Sequence, residues 1–310
     1  MKNYVSLIIL SLIFLLTIGC SKKNTPAVIL VPGYGSKSIL WEESGVIEKL
    51  VVEGYKYGGR VQSRDFIGKM KISPEFKQGD IYNFVFSDSI QTIEMLTNEL
   101  SCVVRGLKKK TYNDRFIIVA YSMGGIISRN YLVNNIDKNH TVSLITISSP
   151  HLGSYLANVL YATTLIAGGS ESVAAKSIIE MFGIHSAISL KTLKDLVSSG
   201  EDSFLYQLNS KPHPDNINYV SVIAHDIDDP ESMSFRKILD RILWENQNSK
   251  GDTVVSAESQ NMANIQYFTD NKFRLKHKEE HINASHLNAC SQKDELSKII
   301  LNELNRFKVE

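Results

Sequence analysis

The sequence has little excess charge of either sign, few cysteines and no repeated or low-complexity segment. Its 310 residues include 34 Lys and Arg against 33 Asp and Glu, a formal net charge of +1. This balance excludes the strongly basic surface on which sequence-independent nucleic-acid binding depends, so no nucleic-acid partner is expected. Three cysteines are too few for a disulfide scaffold, and their spacing is not that of a zinc site. The absence of a fixed-period repeat excludes solenoids and propellers.

The longest apolar run lies at the N-terminus. Lys2 precedes an apolar run over residues 7–16, which is short for a membrane-spanning helix of about 20 residues and fits a signal peptide. The run leads into Thr17-Ile18-Gly19-Cys20. This end resembles a bacterial lipobox, which implies removal of residues 1–19, lipidation of Cys20 and a tether over 20–26. The implied location is the bacterial cell envelope, lipid-anchored, and the outer membrane in a Gram-negative host. An uncleaved signal anchor is the alternative.

The rest of the chain alternates short β-rich runs with longer amphipathic segments, the pattern of a mostly parallel sheet flanked by helices. The predicted strands are 28–31, 81–86, 116–119, 142–147 and 219–224, and the predicted helices include 88–109, 126–134 and 294–307. About 70 residues of helical character separate the last two strands, far more than a usual connection. The sequence therefore predicts an α/β domain over 27–310 with a helical cap at about 154–213.

A strand, a sharp turn and a helix surround Ser122. The stretch 116–128 runs from a β-branched strand through Ala120-Tyr121-Ser122-Met123-Gly124-Gly125 into a helix. A serine hydroxyl is a weak nucleophile, and this layout exposes it on a tight turn where a base can reach it. Ala120 stands where the usual pattern has its first glycine. We interpret Ser122 as a nucleophile.

Acyl transfer also needs an oxyanion hole, because negative charge develops on the carbonyl oxygen. One backbone donor is expected from Met123, the residue after the serine. The other is expected from a loop after an earlier strand, and Val31-Pro32-Gly33-Tyr34-Gly35 places the backbone N–H of Tyr34 in such a loop.

Together these motifs resemble the α/β-hydrolase superfamily, and within it the serine lipases and esterases related to bacterial triacylglycerol lipases. The loop at 31–35 resembles the oxyanion loop, and 120–125 resembles the nucleophile elbow. The segments 147–154 and 193–209 resemble the stretch after the next strand and the end of the cap. The resemblance implies an α/β-hydrolase fold without a cofactor or a catalytic metal.

The acid and the base should follow the serine in the order Ser, Asp, His. Asp252 lies in a loop that resembles the acid loop of the family, with Thr253 where glycine is commoner. Asp226, directly after a predicted strand, is the alternative acid. His286 lies in a loop before the last helix and matches the histidine of the family, whereas His151 is expected to shape a loop.

Two patterns offer metal sites as alternatives. His277-Lys278-Glu279-Glu280-His281 fits a metalloprotease motif, but the stretch is charged and lacks the apolar face that a zinc helix needs. It is expected to lie between a strand and the His286 loop. A second group, Asp226, Asp228, Asp229 and Glu231, could gather calcium, although a solvated acidic turn is preferred. No metal site is therefore predicted.

The sequence favours a serine carboxylester hydrolase that acts on lipid or other acyl esters through an acyl-enzyme. Its expected catalytic residues are Ser122, Asp252 and His286, its expected oxyanion donors Tyr34 and Met123, and its expected partners an acyl ester and a membrane reached through Cys20. An acyltransferase with the same triad and a non-catalytic lipid-binding protein of the envelope are the alternatives.

Overall fold

The structure is a computed structural model that describes residues 25–66, 76–88, 91–111, 113–136, 140–166, 190–197, 201–226 and 251–308. Cys20 and its lipobox, most of the tether, and Asp228, Asp229 and Glu231 of the acidic turn lie outside the described residues. Within the described part of the chain, no helix combines the length and the apolar character needed to cross a membrane.

Among the described residues, seven parallel strands form one sheet. They are β1 (Ala27–Val31), β2 (Tyr57–Val61), β3 (Ile81–Phe84), β4 (Phe116–Tyr121), β5 (Thr141–Ile147), β6 (Asn218–His225) and β7 (Lys276–Asn283). Their order in the sheet is β2-β3-β1-β4-β5-β6-β7. Since all neighbours pair in parallel, the carboxyl ends of the strands share one edge. That edge is where ligands bind in open α/β sheets.

The helices cover both faces of the sheet. They are α1 (Leu40–Glu43), α2 (Val46–Val52), α3 (Ile93–Thr111), α4 (Met123–Asn134), α5 (Tyr155–Ile166), α6 (Leu190–Leu196), α7 (Phe204–Ser210), α8 (Ala257–Gln260), α9 (Gln266–Asp270) and α10 (Lys293–Arg306). Alternate residues of β1 face different cores: Ile29 packs in the core beneath α3 and α4, and Leu30 in the core beneath α2 and α10. Burial on both faces explains why the central strands are continuously apolar.

The sheet confirms the predicted α/β class, and its edges correct the sequence interpretation. Both outermost strands, β2 and β7, were missed. The charged stretch 277–281 was expected to follow a strand. It lies instead within β7, where most side chains are not buried. Charged residues on an edge strand protect it from pairing with other chains, so a polar sequence is compatible with this position.

Helix boundaries differ from the predicted ones because of local capping. The helix predicted over 88–109 begins at Ile93, where the hydroxyl of Thr92 accepts a hydrogen bond from the backbone N–H of Met95 (3.3 Å). A threonine in this position satisfies a donor that the first helical turn leaves open. The helix predicted from Ile126 begins at Met123, directly after the serine of the sharp turn.

Three described helices, α5, α6 and α7, lie in the range expected for the cap. Two contacts join this region to the start of α3: Thr192 donates from Oγ1 to the carbonyl of Gln91 (3.0 Å), and Ile93 donates from its backbone N–H to Asp195 Oδ2 (3.3 Å). α6 therefore lies against the start of α3, and residues of α5 and α6 line the same cavity as Ser122.

Candidate active site

Ser122 lies in a strained turn between β4 and α4. Its backbone angles, φ 52° and ψ −127°, are rarely adopted by non-glycine residues. The turn is closely packed: a Cβ on Gly124 would lie 2.5 Å from the carbonyl oxygen of Pro32, and one on Gly125 would lie 2.1 Å from Ser149 Oγ. Such strain costs about 1–3 kcal/mol and typically persists at functional positions. The turn thus has the geometry of a nucleophile elbow.

Hydrogen bonds connect the three residues expected to form the triad. Ser122 Oγ lies 2.9 Å from His286 Nε2, and His286 Nδ1 lies 2.8 Å from Asp252 Oδ2. Ionised carboxylates only accept hydrogen bonds, so a charged Asp252 places the ring proton on Nδ1 and leaves Nε2 to accept from the serine. This is the tautomer that a general base needs.

The acid loop holds Asp252 in place. Its carboxylate is fully buried, and Oδ1 accepts hydrogen bonds from the backbone N–H groups of Val254 (3.1 Å) and Val255 (2.7 Å). Thr253 has a φ of 78°, in the left-handed region that favours glycine. Asp226, the alternative acid, lies at the end of β6, and its backbone N–H donates to the carbonyl of Gly251 (3.0 Å) at the start of this loop.

His286 is fixed by two further contacts. Its backbone N–H donates to the carbonyl oxygen of Asp252 (2.8 Å), and its carbonyl accepts from the hydroxyl of Tyr121 (2.8 Å). Burial, more than the nearby Cys290 and Asp252, raises the pKa of Tyr121 well above its usual value, so the phenol remains a donor. Tyr121 is a contact that sequence reasoning missed, although it directly precedes the nucleophile.

The two expected oxyanion donors belong to segments that pack at Ser122. Met123 is the first residue of α4, and N–H groups in the first turn of a helix have no acceptor within the helix. Gly33, just before Tyr34, is so close that a Cβ on it would lie 2.9 Å from Ser122 Cβ. Tyr34 and Met123 both line the same cavity as the serine.

A cavity of about 690 Å³ opens next to Ser122 and His286. Its cap side is apolar and is lined by Leu156, Ala157, Leu160, Leu193 and Leu196. Its other side is formed by the Tyr34 loop and by Leu287. The volume lies within the roughly 300–1,000 Å³ of small-molecule sites, and an apolar wall with a few polar groups is typical of them.

Comparison with known families identifies the chain. Residues 81–259, more than half of the sequence, match the family described as "Putative serine esterase (DUF676)". The chain belongs to this family. An ester hydrolase is therefore the activity that family membership assigns to it, and the matched residues include Ser122 and Asp252. No curated protein sequence matches the chain significantly.

Solved structures confirm the α/β-hydrolase fold of this family member. The mature lipase BlEst2 of Bacillus licheniformis has a TM-score of 0.61 and 17% identity, over 92% of this chain and 94% of that chain. The lin2722 gene product of Listeria innocua has a TM-score of 0.52 and 13% identity, over 89% and 92%. Phospholipase PlaB of Legionella pneumophila has a TM-score of 0.51 and 20% identity, over 77% of this chain but only 46% of PlaB.

A second polar cluster lies behind the elbow of the esterase, around the fully buried Arg129 of α4. The guanidinium donates to His213 Nε2 (3.3 Å) and Asn209 Oδ1 (2.7 Å), and its Nη1 lies 3.2 Å from His151 Nδ1. Both histidines are therefore neutral acceptors. The cluster joins the elbow helix to the end of the cap and to the loop after β5, so His151 has the structural role that was expected.

Acid should destabilise the esterase through this cluster. Burial, with Arg129 as the second cause, lowers the pKa of His213 to about 3. Between the unfolded pKa of about 6.5 and that value, the unfolded chain binds a proton that the native state does not, so stability falls as the pH falls. The loss is up to about 1.4 kcal/mol per pH unit. His213→Gln should flatten this dependence in urea unfolding between pH 7 and pH 4; an unchanged slope would contradict the assignment.

The described residues contain no group of three His, Cys, Asp or Glu side chains arranged to hold a metal. His277, from the metalloprotease-like motif, instead lies on β7 with its Nε2 2.9 Å from Ser221 Oγ. Burial lowers the pKa of His277. Cys102 and Cys290 are free thiols.

Proposed function

We propose that the protein is a serine carboxylester hydrolase that cleaves esters of apolar acyl chains through an acyl-enzyme on Ser122. The observation that carries the proposal is the hydrogen-bonded sequence Ser122–His286–Asp252, with separations of 2.9 Å and 2.8 Å, at the mouth of an apolar cavity. Membership in a serine esterase family and a lipase fold in a neighbouring structure are consistent with it.

In the proposed mechanism, Ser122 Oγ attacks the ester carbonyl while His286 Nε2 takes the hydroxyl proton. Asp252 stabilises the resulting imidazolium. The negative charge of the tetrahedral intermediate lies on the former carbonyl oxygen, where the backbone N–H groups of Tyr34 and Met123 would donate to it. The intermediate collapses, the alcohol leaves with the proton from His286, and the acyl group stays on the serine. Water, activated by the same histidine, then releases the acid.

A fluorophosphonate probe tests the nucleophile directly. The wild-type protein should be labelled stoichiometrically at Ser122, as found by mass spectrometry of the modified peptide, and Ser122→Ala should not be labelled. A folded wild-type protein without label would contradict the proposal and favour a non-catalytic lipid-binding protein. Product analysis with an added alcohol separates hydrolysis from acyl transfer, since only transfer yields a new ester.

The apolar cap side of the cavity is the proposed acyl site, and Leu160 on α5 tests it. Leu160→Trp fills the cavity, so it should lower kcat/KM for long-chain p-nitrophenyl esters at least tenfold and for the acetate ester less than threefold. Each methylene excluded costs about 0.8 kcal/mol, about a fourfold effect. Leu165→Trp is the matched control, because Leu165 lies exposed on the same helix. Equal losses for all chain lengths would contradict an acyl site here.

The family and the fold leave open where the enzyme acts, and we further propose that it is anchored to the cell envelope through lipidated Cys20. Two acyl chains hold a protein on a bilayer where one gives only marginal binding. Expressed with its leader, the wild-type chain should incorporate an alkyne fatty acid and sediment with membranes. Cys20→Ser should do neither, whereas Cys102→Ser should behave as the wild type. Label retained in Cys20→Ser would contradict the anchor.

A further inference from the structure

The loop that carries Tyr34 is flexible by composition but is held at both ends. It spans residues 32–39 between β1 and α1 and contains Gly33 and Gly35, the latter with a φ of 60°. Glycine gives a chain more conformational freedom than any other residue, so such a loop needs fixed points outside itself. The first is Gly33, which packs against Ser122 and Tyr121.

The second fixed point is a side-chain contact with β3. Asn83, 1% exposed, donates from Nδ2 to the carbonyl oxygen of Ser38 (2.9 Å) and to Glu42 Oε2 (3.1 Å). Asn83 thus binds the last part of the loop and the helix that follows it. Buried amide groups keep their orientation when each donor has an acceptor, and here one acceptor lies in the loop and the other on α1.

Glu42 on α1 extends this contact to β2. Its Oε1 accepts from the hydroxyl of Tyr57 (2.5 Å) and from Arg60 Nε (3.0 Å), while Oε2 accepts from Asn83. Burial and the neighbouring Glu42 raise the pKa of Tyr57, so its hydroxyl stays a donor. A carboxylate with three donors from two strands is held more tightly than a typical surface ion pair, since charge-assisted hydrogen bonds are the stronger kind.

We propose that Asn83 and Glu42 are positioning residues for the oxyanion loop, and that they hold the backbone N–H of Tyr34 in position next to Ser122. This inference rests on the proposed serine esterase mechanism. Neither side chain is in the lining of the cavity, so both act through the loop. A displacement of about 1 Å at a catalytic group can cost about 10²-fold in rate, which makes a second fixed point valuable for a glycine-containing loop.

The kinetic test compares Asn83→Ala and Glu42→Gln with the wild type on a short-chain p-nitrophenyl ester. We expect kcat to fall about 10- to 100-fold with KM changed less than threefold, because the lost donor acts in the transition state. Binding of a trifluoromethyl ketone, which forms an oxyanion on the serine, should weaken by the same factor as kcat/KM. Folded variants with wild-type kcat and inhibitor affinity would overturn the proposal.

Glu303→Gln is the matched control for a merely structural role. Glu303 is equally a carboxylate with several donors, but it is bound by Ser143 and Asn218 near the amino ends of β5 and β6. This variant should lose stability while keeping kcat. A similar fall of kcat in Glu303→Gln would mean that general loosening, and not the loop contact, explains the effect. Tyr57→Phe, which removes one donor to Glu42, is the milder variant if Asn83→Ala does not fold.

Hydrogen exchange gives a readout that does not depend on catalysis. Amides of the peptide 32–39 should exchange at least tenfold faster in Asn83→Ala and at the wild-type rate in Glu303→Gln. Unchanged exchange in Asn83→Ala would overturn the contact as a fixed point. An inactive wild-type protein would contradict the proposed esterase mechanism. If the amides of Asn83→Ala still exchanged faster in that case, the contact would hold the loop but would have no role in catalysis.

Discussion

Replacement of Ser122 by alanine should abolish ester cleavage without unfolding the protein. Removal of a nucleophile that acts together with its base costs about 10⁴- to 10⁶-fold in kcat, because no other group can form the acyl-enzyme. The substitution keeps Cβ, so the packing of Gly33 against the turn and the strained backbone of residue 122 are both retained. Stopped assays with a p-nitrophenyl ester and thermal unfolding measure the two effects separately.

Ser148 provides a close control for this experiment. It follows β5 as Ser122 follows β4, the two strands are paired up to Tyr121 and Ile147, and its φ is also 52°. Its buried Oγ has no hydrogen-bond partner among the described residues. Ser148→Ala therefore removes a hydroxyl from a residue with the same positive φ, and activity should stay within threefold of wild type. Full activity in Ser122→Ala would contradict the assignment of Ser122 as the nucleophile, whatever the activity of Ser148→Ala.

Local sequence signals led to three residues that the structure brings together. The elbow was recognised from its place between a strand and a helix, and the acid and histidine loops from their resemblance to the family and their order after Ser122. Parallel strands then bring these loops to one edge of the sheet, which is why residues as far apart as Ser122 and His286 lie 2.9 Å from each other. The order of the elements thus accounts for the proximity of the three residues.

The features that were missed depend on distant partners or weak local signals. Strand β2 contains Gly58 and Gly59, which disfavour a strand reading, and β7 is rich in charge because it lies at an edge. Glu42 and Asn83 belong to no recognisable motif, because the hydrogen bond between them joins residues about 40 positions apart. The same holds for Arg129, which meets His213 across 84 positions. Such contacts follow from packing of the whole fold.

Asp252→Asn should cost about 10⁴-fold in kcat while the loop keeps its geometry. In the variant, the amide oxygen can still accept from the backbone N–H groups of Val254 and Val255, which bind Oδ1 in the wild-type protein. The amide nitrogen then faces His286 Nδ1, where Oδ2 lay, and two donors cannot share that contact. Nδ1 must become the acceptor, so the proton moves to Nε2 and the ring no longer accepts from Ser122.

The alternative acid gives this prediction its control. Asp226→Asn changes the same functional group at the end of β6, near the start of the acid loop, and should leave kcat within threefold of the wild type. Steady-state kinetics of both variants, with near-ultraviolet circular dichroism to verify packing, decide between the two carboxylates. A large loss in Asp226→Asn with a small loss in Asp252→Asn would reverse the assignment. Large losses in both would mean that the side chain of Asp226 also supports the acid loop.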